Sequence, residues 1–422
     1  MASGGALGSS RRALLKTAAA IVTLGASRGS AWGSGSAAPA SLPGPPPAPI
    51  TTGERLARLA KLRDLMARAG VAALLIEPGA SLVYFTGVRW HRSERVTAAI
   101  LPARGDPVIV TPFFEAPSVR QSLGIRARVD TWQEDEDPLR LVAAVLRQAG
   151  AAAGPIAVEE TTRFFVVDGL RAALPDAPTV SGAAIVRACR MVKSTSEIAL
   201  MQRATDVTIA AYRHVVPRVT PGLTPAEVSA MMDGATRALG GEPEFSLVLT
   251  GEASADPHGS SAPQVVRAGE MVLMDCGCTV EGYQSDVSRS FVPGGASARQ
   301  RAVWNQVARG QQIAFAAARV GAAAGSIDDA VRRFYEGLGY GPRYRLPGLS
   351  HRTGHGIGLD GHEPVNLVHG EAMPLAAGMC FSDEPGLYVP GEFGVRLEDC
   401  FHVTVDGPRW FSEPPRSIDE PV

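Results

Sequence analysis

Two aspartates in apolar surroundings lie on what the sequence indicates is one β-hairpin. A strand-like run around Asp275 turns at Glu281-Gly282 and returns through Asp286. With a two-residue loop, position 280 pairs with 283 and 275 with 288, so Asp286 is diagonal to Asp275 on the same face. Buried, uncompensated carboxylates cost several kcal/mol each and repel one another. Either cations lie between them, or each pairs with an arginine, for which Arg289 is the obvious candidate.

Histidines concentrate in one short glycine-rich segment, residues 351–364. It contains His351, His355 and His362, three of the eight histidines in the chain. Glycines on both sides of His355 leave no side chain beside it, so a ligand or another backbone can approach closely. A single histidine is usually structural, whereas three in one short loop favour a binding or catalytic role.

Two glutamates extend the set of possible metal ligands. Glu384 lies in Ser382–Gly386 and Glu398 in Val395–Asp399. A turn centred near Pro390-Gly391 would place the two glutamates opposite each other on a second hairpin. The candidate ligands are then four carboxylates and one imidazole: Asp275, Asp286, His355, Glu384 and Glu398.

This donor set predicts the kind of metal and the kind of reaction. Four carboxylates carry a charge of −4, which two divalent ions cancel. One nitrogen among oxygens suits a hard metal, so we expect manganese, with zinc, cobalt or iron as alternatives. Two ions about 3.5–4 Å apart can hold a bridging water, lower its pKa and polarise a carbonyl group. The sequence therefore predicts a hydrolase.

The order and spacing of these segments resemble the pita-bread metallopeptidases, the group of aminopeptidase P, prolidase, methionine aminopeptidase and creatinase. The motifs are Asp-x-Gly with a second Asp eleven residues on, His-Arg-Thr-Gly-His-Gly-Ile-Gly, His-Glu-Pro, Glu-Pro-Gly and Arg-x-Glu-Asp. The resemblance covers about residues 54–410. It implies an α+β pita-bread catalytic domain preceded by a smaller α/β domain of the creatinase type. Methionine aminopeptidases lack that first domain, so the resemblance points to the proline-directed branch.

The resemblance also implies how the ligands divide between two metal ions. Asp275 binds one ion, whereas His355 and Glu384 bind the other. Asp286 and Glu398 bridge the two ions.

Further residues acquire roles from the same resemblance. His258 and His362 contact the substrate and stabilise the tetrahedral intermediate. Glu384 assists proton transfer as well as binding metal. His351 and Arg396 are supporting groups near the substrate.

The function that this implies is a two-metal exopeptidase acting before proline, either at the N-terminus of peptides or in Xaa-Pro dipeptides. Its partner is a proline-containing peptide, and we expect a homodimer because relatives often dimerise. Two alternatives remain: the same fold acting on a non-peptide substrate, as in creatinase and some lyases, or an inactive binding protein. The complete ligand set speaks against both, since creatinase-like and inactive relatives lack ligands.

Composition excludes several other classes of protein. The 422 residues are 45 % hydrophobic and 20 % charged, which is ordinary for a globular protein and excludes a disordered chain, a collagen or a coiled coil. No apolar run approaches the ~18–20 residues of a membrane span. The formal charge of −1 and the lack of a basic block make nucleic acid an unexpected partner.

The first residues have the pattern of an export signal. Arg11-Arg12 precede an apolar stretch, Thr17–Ala26, and small residues follow it. We interpret residues 1–31 as a twin-arginine signal, with an amphipathic helix as the alternative, and residues 32–53 as a Pro/Gly/Ser linker. The first cysteine is Cys189, so we expect no lipid anchor. The predicted location is periplasmic or secreted.

Helix and strand signals divide the remainder into residues 54–188 and 189–422. Leucines recur at helical spacing in residues 54–70, and short apolar runs then alternate with helical segments, as in an α/β domain. Capping boxes begin helices at Ser194, Thr224 and Ser297, the last of these with glutamine at its fourth position.

The cysteines are predicted to be core residues. Cys276 and Cys278 have the opposite strand parity to Asp275, so they should point away from the metals. Cys380 and Cys400 are diagonal neighbours on the second hairpin, where a disulfide is possible but not favoured.

Overall fold

Residues 38–422 are the part of the chain described by this computed structural model. The predicted export signal and the first residues of the linker lie outside the described residues. Residues 39–51 form neither helix nor strand, but Ile50 is buried and Leu42 packs against the core. None of the helices in this described range has the length and apolar character needed to span a membrane.

A six-stranded sheet organises the first half of the described chain. Its strands are β1 (Ala73–Ile76), β2 (Ala98–Pro102), β3 (Val108–Pro112), β4 (Arg128–Trp132), β5 (Ile156–Val158) and β6 (Thr179–Ser181). The order across the sheet is β4-β3-β2-β1-β5-β6, with β2 antiparallel to both neighbours. All other pairs are parallel.

Helices cover both faces of this sheet. They are α1 (Thr52–Ala69), α2 (Ala80–Thr86), α3 (Ala116–Ser122), α4 (Pro138–Gln148), α5 (Phe164–Ala173) and α6 (Ala183–Arg190). Alternate residues of β1 enter different cores: Leu75 packs with α4 and α5, and Leu74 packs with α1 and α6. The predicted α/β domain is confirmed.

The second half contains four helices and eleven strands within the described residues. The helices are α7 (Thr195–Val215), α8 (Pro225–Ala238), α9 (Ala298–Ala317) and α10 (Ala324–Gly337). The strands before residue 300 are β7 (Glu242–Thr250), β8 (Val272–Val280), β9 (Tyr283–Gln284) and β10 (Val287–Phe291). The later strands are β11 (Gly354–Gly356), β12 (Glu363–Leu367), β13 (Cys380–Asp383), β14 (Gly386–Val389), β15 (Phe393–Arg396), β16 (Asp399–Thr404) and β17 (Gly407–Trp410).

These elements form two helix-covered sheets. One sheet has the order β10-β8-β7 with β9 paired to β8, and α7 and α8 share its hydrophobic core. The other has the order β12-β11-β13-β16-β17, and α9 and α10 share its core. A separate hairpin pairs β14 with β15. The capping boxes predicted at Ser194, Thr224 and Ser297 are all present.

Strand β7 is an element that the sequence pattern did not reveal. It pairs with β8 over most of its length, with an irregularity between Pro243 and Phe245. Its first residues, Glu242, Pro243 and Glu244, are unusual in strands, which explains why the apolar alternation is visible only in its second part.

Candidate metal centre

The first hairpin places its two aspartates as the sequence predicts. Val280 pairs with Tyr283 and Asp275 with Ser288, which is the register of a two-residue loop. Asp286 follows β9 and is 5 % exposed. Carboxylate oxygens of Asp275 and Asp286 lie within 4.8 Å of each other.

The second hairpin also has the predicted register. Asp383 of β13 pairs with Asp399 of β16, and Gly386 of β14 pairs with Arg396 of β15. The same register, continued between these pairs, places Glu384 opposite Glu398. Glu398 is 1 % exposed, so its carboxylate is removed from solvent.

Ser288 joins the two hairpins at the centre of the site. Its N–H donates to the Glu398 carbonyl oxygen at 3.3 Å, and its own carbonyl accepts from the Glu398 N–H at 3.1 Å. Its Oγ lies 2.9 Å from Asp275 Oδ1 and 2.8 Å from Glu398 Oε2. One hydroxyl, with a single proton to donate, therefore lies between a carboxylate of each hairpin.

His355 lies on β11 with its ring turned toward the carboxylates. Nδ1 lies 3.1 Å from the Gly356 carbonyl oxygen, which can only accept, so the proton is on Nδ1. Nε2 is then unprotonated and lies 3.5 Å from Glu384 Oε1 and 3.7 Å from Asp286 Oδ2. An imidazole lone pair that faces carboxylate oxygens is the arrangement expected of a metal ligand.

Close backbone packing explains the glycines that flank His355. A Cβ on Gly354 would lie 2.1 Å from the carbonyl oxygen of Ser382, and one on Gly356 would lie 2.6 Å from that of Glu363. The two glycines therefore let β11 lie tightly between β12 and β13. This packing brings His355 within reach of the ligands on the second hairpin.

All five predicted ligands converge, and they fit divalent cations. Together with His362, which was not predicted as a ligand, their donor atoms form three overlapping groups within 4.8 Å: Asp286, His355 and His362; His355, Glu384 and Glu398; Asp275, Asp286 and Glu398. Glu398 Oε1 is buried without a hydrogen-bond partner among the described residues. Four carboxylates around one neutral imidazole are the oxygen-rich set that hard metals bind.

The pKa values of the site residues also favour bound cations. Burial and neighbouring carboxylates raise the pKa values of Asp286 and Glu398 well above the ordinary range, and burial raises the pKa of Glu384 to about 7. Burial also lowers the pKa of His355 to about 3, so its ring is neutral. Protein groups alone thus oppose the ionisation that the carboxylates need, and cations would restore it.

The arginine that pairs with Asp275 is Arg396, and the alternative that Arg289 does so is wrong. Arg396 Nη2 lies 2.6 Å from Asp275 Oδ2, and Arg396 Nε donates to Ser288 Oγ at 2.9 Å. Arg289 Nη2 instead lies 2.7 Å from Asp399 Oδ1. Arg289 follows Ser288 on β10, so its side chain leaves the strand on the opposite face.

The ligands line a cavity of about 700 Å³ that also contains the predicted substrate-binding residues His258, His351, His362 and Arg396. His351 donates from Nδ1 to the Arg352 carbonyl at 2.7 Å, and its Nε2 lies 2.7 Å from the Tyr388 hydroxyl. Both ring nitrogens are engaged, and burial lowers the pKa of His351 to about 3. These contacts fit a supporting role.

The sequence analysis did not identify two supporting residues. Asp328 of α10 is buried and accepts from the N–H and Oγ1 of Thr353, which fixes the loop before His355. Tyr388 of β14 links His351 to Arg396, whose Nη1 lies 3.1 Å from the tyrosine hydroxyl. Both contacts join residues far apart in sequence or on different elements, so no local pattern indicates them.

The described cysteines are all free thiols and all buried. Cys276 and Cys278 belong to the core shared by α7 and α8, away from the carboxylates, as their strand parity predicts. Cys380 and Cys400 are not bonded to each other.

Helix-covered sheets that enclose a cluster of carboxylates and one histidine define a metal-dependent hydrolase. Comparisons with known proteins give the same class. Residues 199–405 match the model of metallopeptidase family M24, and residues 58–192 match the creatinase/prolidase N-terminal domain.

Similar proteins cover most of the chain. A probable dipeptidase PepE of Mycobacterium tuberculosis (strain ATCC 25618 / H37Rv) is 36% identical over 354 residues, which are 83% of this chain and 92% of that protein. An Xaa-Pro dipeptidase of Lactobacillus helveticus is 30% identical over 80% of this chain and 92% of that protein. The crystal structure of dipeptidase PepE from Mycobacterium ulcerans has a TM-score of 0.79 at 34% identity, covering 88% of this chain and 98% of that one. The chain belongs to metallopeptidase family M24.

Proposed function

We propose that this protein hydrolyses the peptide bond before proline, in Xaa-Pro dipeptides or at the N-terminus of longer peptides. The observation that carries the proposal is the convergence of four carboxylates and the unprotonated Nε2 of His355 on one cavity. The substrate class rests on similarity to proteins named Xaa-Pro dipeptidase, one of which is 30% identical to this chain.

The proposed ligands would hold two divalent ions, with manganese favoured by the excess of oxygen donors. Such ions, when bound, lower the pKa of a water and polarise a carbonyl oxygen. Asp275 would serve one ion, His355 and Glu384 the other, and Asp286 and Glu398 both. Ser288 Oγ lies within hydrogen-bond distance of two of these ligands, Asp275 and Glu398.

His362 is oriented to donate a hydrogen bond to the substrate. Arg352 Nη2 lies 3.4 Å from His362 Nδ1, and a guanidinium can only donate, so Nδ1 is the accepting nitrogen. The proton of the neutral ring is then on Nε2. That N–H can stabilise negative charge as it develops on the carbonyl oxygen of the scissile bond. His258, which lines the same cavity, would assist from the opposite loop.

Glu384 is suited to hold a proton during the reaction. Its carboxylate lines the cavity beside His355, with Oε1 3.5 Å from His355 Nε2, so it lies where a proton could be passed to or from the substrate. Arg396 holds Asp275 in place through the 2.6 Å ion pair.

Hydrolysis of a small substrate panel tests this function. The purified protein is stripped with EDTA, reloaded with Mn²⁺ or Zn²⁺, and assayed on Gly-Pro, Ala-Pro, Ala-Pro-Ala and Ala-Ala. We expect cleavage of the proline substrates to return with Mn²⁺ and Ala-Ala to be cleaved poorly. Equal cleavage of Ala-Ala would overturn the specificity, and full activity without metal would overturn the mechanism.

The location, the quaternary structure and the domain limits belong to the same proposal. We propose twin-arginine export to the periplasm or the medium, on the strength of Arg11-Arg12 and the apolar stretch after them. We propose a homodimer because related enzymes often dimerise. Light scattering on the purified protein tests this. Residues 54–188 and 189–422 are proposed as the two domains that follow the signal and linker.

A further inference from the structure

The cavity contains one positively charged side chain whose charge has no assigned role in the reaction described above. Two arginines line it, Arg352 and Arg396. Arg396 is 2 % exposed and paired with Asp275. Arg352 is only partly buried, and within residues 38–422 no carboxylate lies within ion-pair distance of its guanidinium.

Neutral acceptors hold this guanidinium in place. Arg352 Nη1 donates to Asn366 Oδ1 at 2.6 Å, and Nη2 lies 3.4 Å from His362 Nδ1. These contacts occupy two of the five N–H donors of the group. The positive charge is therefore positioned on the cavity wall with donors to spare, beside the histidine assigned to the scissile bond.

We propose that Arg352 is a specificity-determining residue that binds a carboxylate of the substrate. The inference rests on the proposed function and extends it to the substrate class. A fixed guanidinium without a carboxylate partner favours an anionic ligand through charge-assisted, bidentate hydrogen bonds. In a peptide substrate that carboxylate is either the free C-terminus of an Xaa-Pro dipeptide or an acidic side chain on the first residue.

Matched substrates distinguish these two sources. Ala-Pro and Ala-prolinamide differ only in the C-terminal carboxylate, whereas Asp-Pro and Asn-Pro differ only in the side-chain carboxylate. If Arg352 binds the C-terminal carboxylate, Arg352→Gln raises KM for Ala-Pro by about 10- to 100-fold and leaves KM for Ala-prolinamide unchanged. If Arg352 instead binds the side-chain carboxylate of the first substrate residue, the same variant raises KM for Asp-Pro alone. Either result supports the proposal.

Two further variants separate charge from structure. Arg352→Lys keeps the charge and should recover part of the lost affinity. Asn366→Asp leaves Arg352 intact but places a carboxylate at the position of an existing 2.6 Å contact, so it should raise the same KM by competing for the guanidinium. Arg309→Gln, on the exposed side of α9, is the matched control and should behave as the parent.

Binding of the product gives a readout that does not depend on turnover. Calorimetry on the Mn²⁺-loaded protein compares L-proline with L-prolinamide, and L-aspartate with L-asparagine. The proposal requires tighter binding of the acid in at least one pair, and loss of that difference in Arg352→Gln.

The possible failures are distinguishable. A parent protein that cleaves no Xaa-Pro substrate but shows the Arg352-dependent binding difference would contradict the proposed function alone. Cleavage with no effect of Arg352→Gln on any KM, or an equal fall in kcat for all substrates, would overturn the role of Arg352. An equal fall in kcat for all substrates would mean that Arg352 acts only through its contact with His362.

Discussion

Asp286 belongs to two of the three donor groups, one with His355 and one with Asp275. Like Glu398, Asp286 is assigned to both proposed ions. Loss of its carboxylate should therefore disturb the two ions together. In Asp286→Asn we expect metal content to fall to below one ion per chain, and kcat/KM to fall more than about 100-fold. Metal analysis and kinetics on the same preparation check this. Asp406→Asn, an exposed substitution on the loop before β17, is the control, and retention of two ions by Asp286→Asn would contradict the bridging role.

His355 and His362 lie with their ring centroids 3.9 Å apart, yet we assign them different roles. His362→Ala should keep both ions and the fold, and should lower kcat by about 10²–10³-fold with a smaller change in KM. His355→Ala should lose metal from one site. Metal content, melting temperature and kcat are measured on both variants.

The outcomes for these two histidines can also show that the roles are exchanged. Loss of metal in His362→Ala would mean that this ring is a ligand, as the group formed by Asp286, His355 and His362 allows. A lower melting temperature with unchanged kcat per folded molecule would make His362 a structural residue.

At this scale the sequence predicted which acidic and histidine side chains converge, but not their partners. A two-residue loop fixes hairpin register, so the relation of Asp275 to Asp286 follows from local rules. Strand alternation places the nearer Arg289 on the opposite face from Asp275. The actual partner, Arg396, is 121 residues away, and no local rule identifies it. Arg352 was not singled out, because only the fold shows that its guanidinium has no carboxylate partner within residues 38–422.

The end of α6 and the loop before β12 are tied together by Glu363. Its Oε1 lies 2.6 Å from Arg190 Nη2 and accepts from the Leu359 N–H at 3.0 Å. Its Oε2 lies 3.0 Å from Lys193 Nζ. This clamp attaches the first half of the protein to the loop that carries His362.

Removing the charge of Glu363 should therefore destabilise the protein. Burial alone would raise the pKa of Glu363. Lys193 and Arg190 favour its ionised form, however, and lower the pKa to about 2. Glu363→Gln leaves those cations partly uncompensated, and we expect it to cost about 3 kcal/mol of unfolding free energy near neutral pH. Denaturant unfolding measures this, with the exposed Glu413→Gln as control.

The pH dependence of that difference follows from the sign of the shift. A carboxyl whose pKa is lower in the folded protein stabilises it fully above its ordinary pKa of about 4.5, and that stabilisation is lost as pH falls toward 2. The stability gap between parent and Glu363→Gln should therefore narrow between pH 4.5 and 2. A gap that stays constant through this range would show that Glu363 contributes by packing instead of by charge.

Elements with strong local signals could be predicted, and those defined by distant partners could not. The capping boxes gave the starts of α7, α8 and α9 because Ser or Thr and the residue three positions later satisfy the helix terminus by themselves. Strand β11 has three residues, two of them glycine, and it exists because β12 and β13 lie on either side. No periodicity in residues 354–356 indicates it.

The two halves of the described chain also meet at Arg58 of α1. Its Nη2 donates to the Tyr283 hydroxyl at 2.9 Å and lies 3.2 Å from Glu197 Oε1, and all three side chains are buried. Tyr283 belongs to the hairpin that carries the two aspartates. The first half is thus connected to the metal centre through both this contact and the Glu363 clamp.

The proposed export concerns the whole precursor. Arg11→Lys combined with Arg12→Lys should trap the precursor inside the cell, because the twin-arginine pathway reads the arginine pair. Fractionation of cells that express the tagged parent and variant checks this, with Arg28→Lys as control. Normal appearance of mature variant in the periplasm would show that a different route carries the protein.

The backbone bonds between Ser288 and Glu398 have a consequence for the order of events in folding. The ligands they bring together are separated by more than a hundred residues, and contacts of such high sequence separation form slowly. A nascent chain that ends before residue 355 has two of the five donors and no closed binding site. Metal uptake should therefore come late in refolding, and the bound ion would be a kinetic marker for completion of the fold.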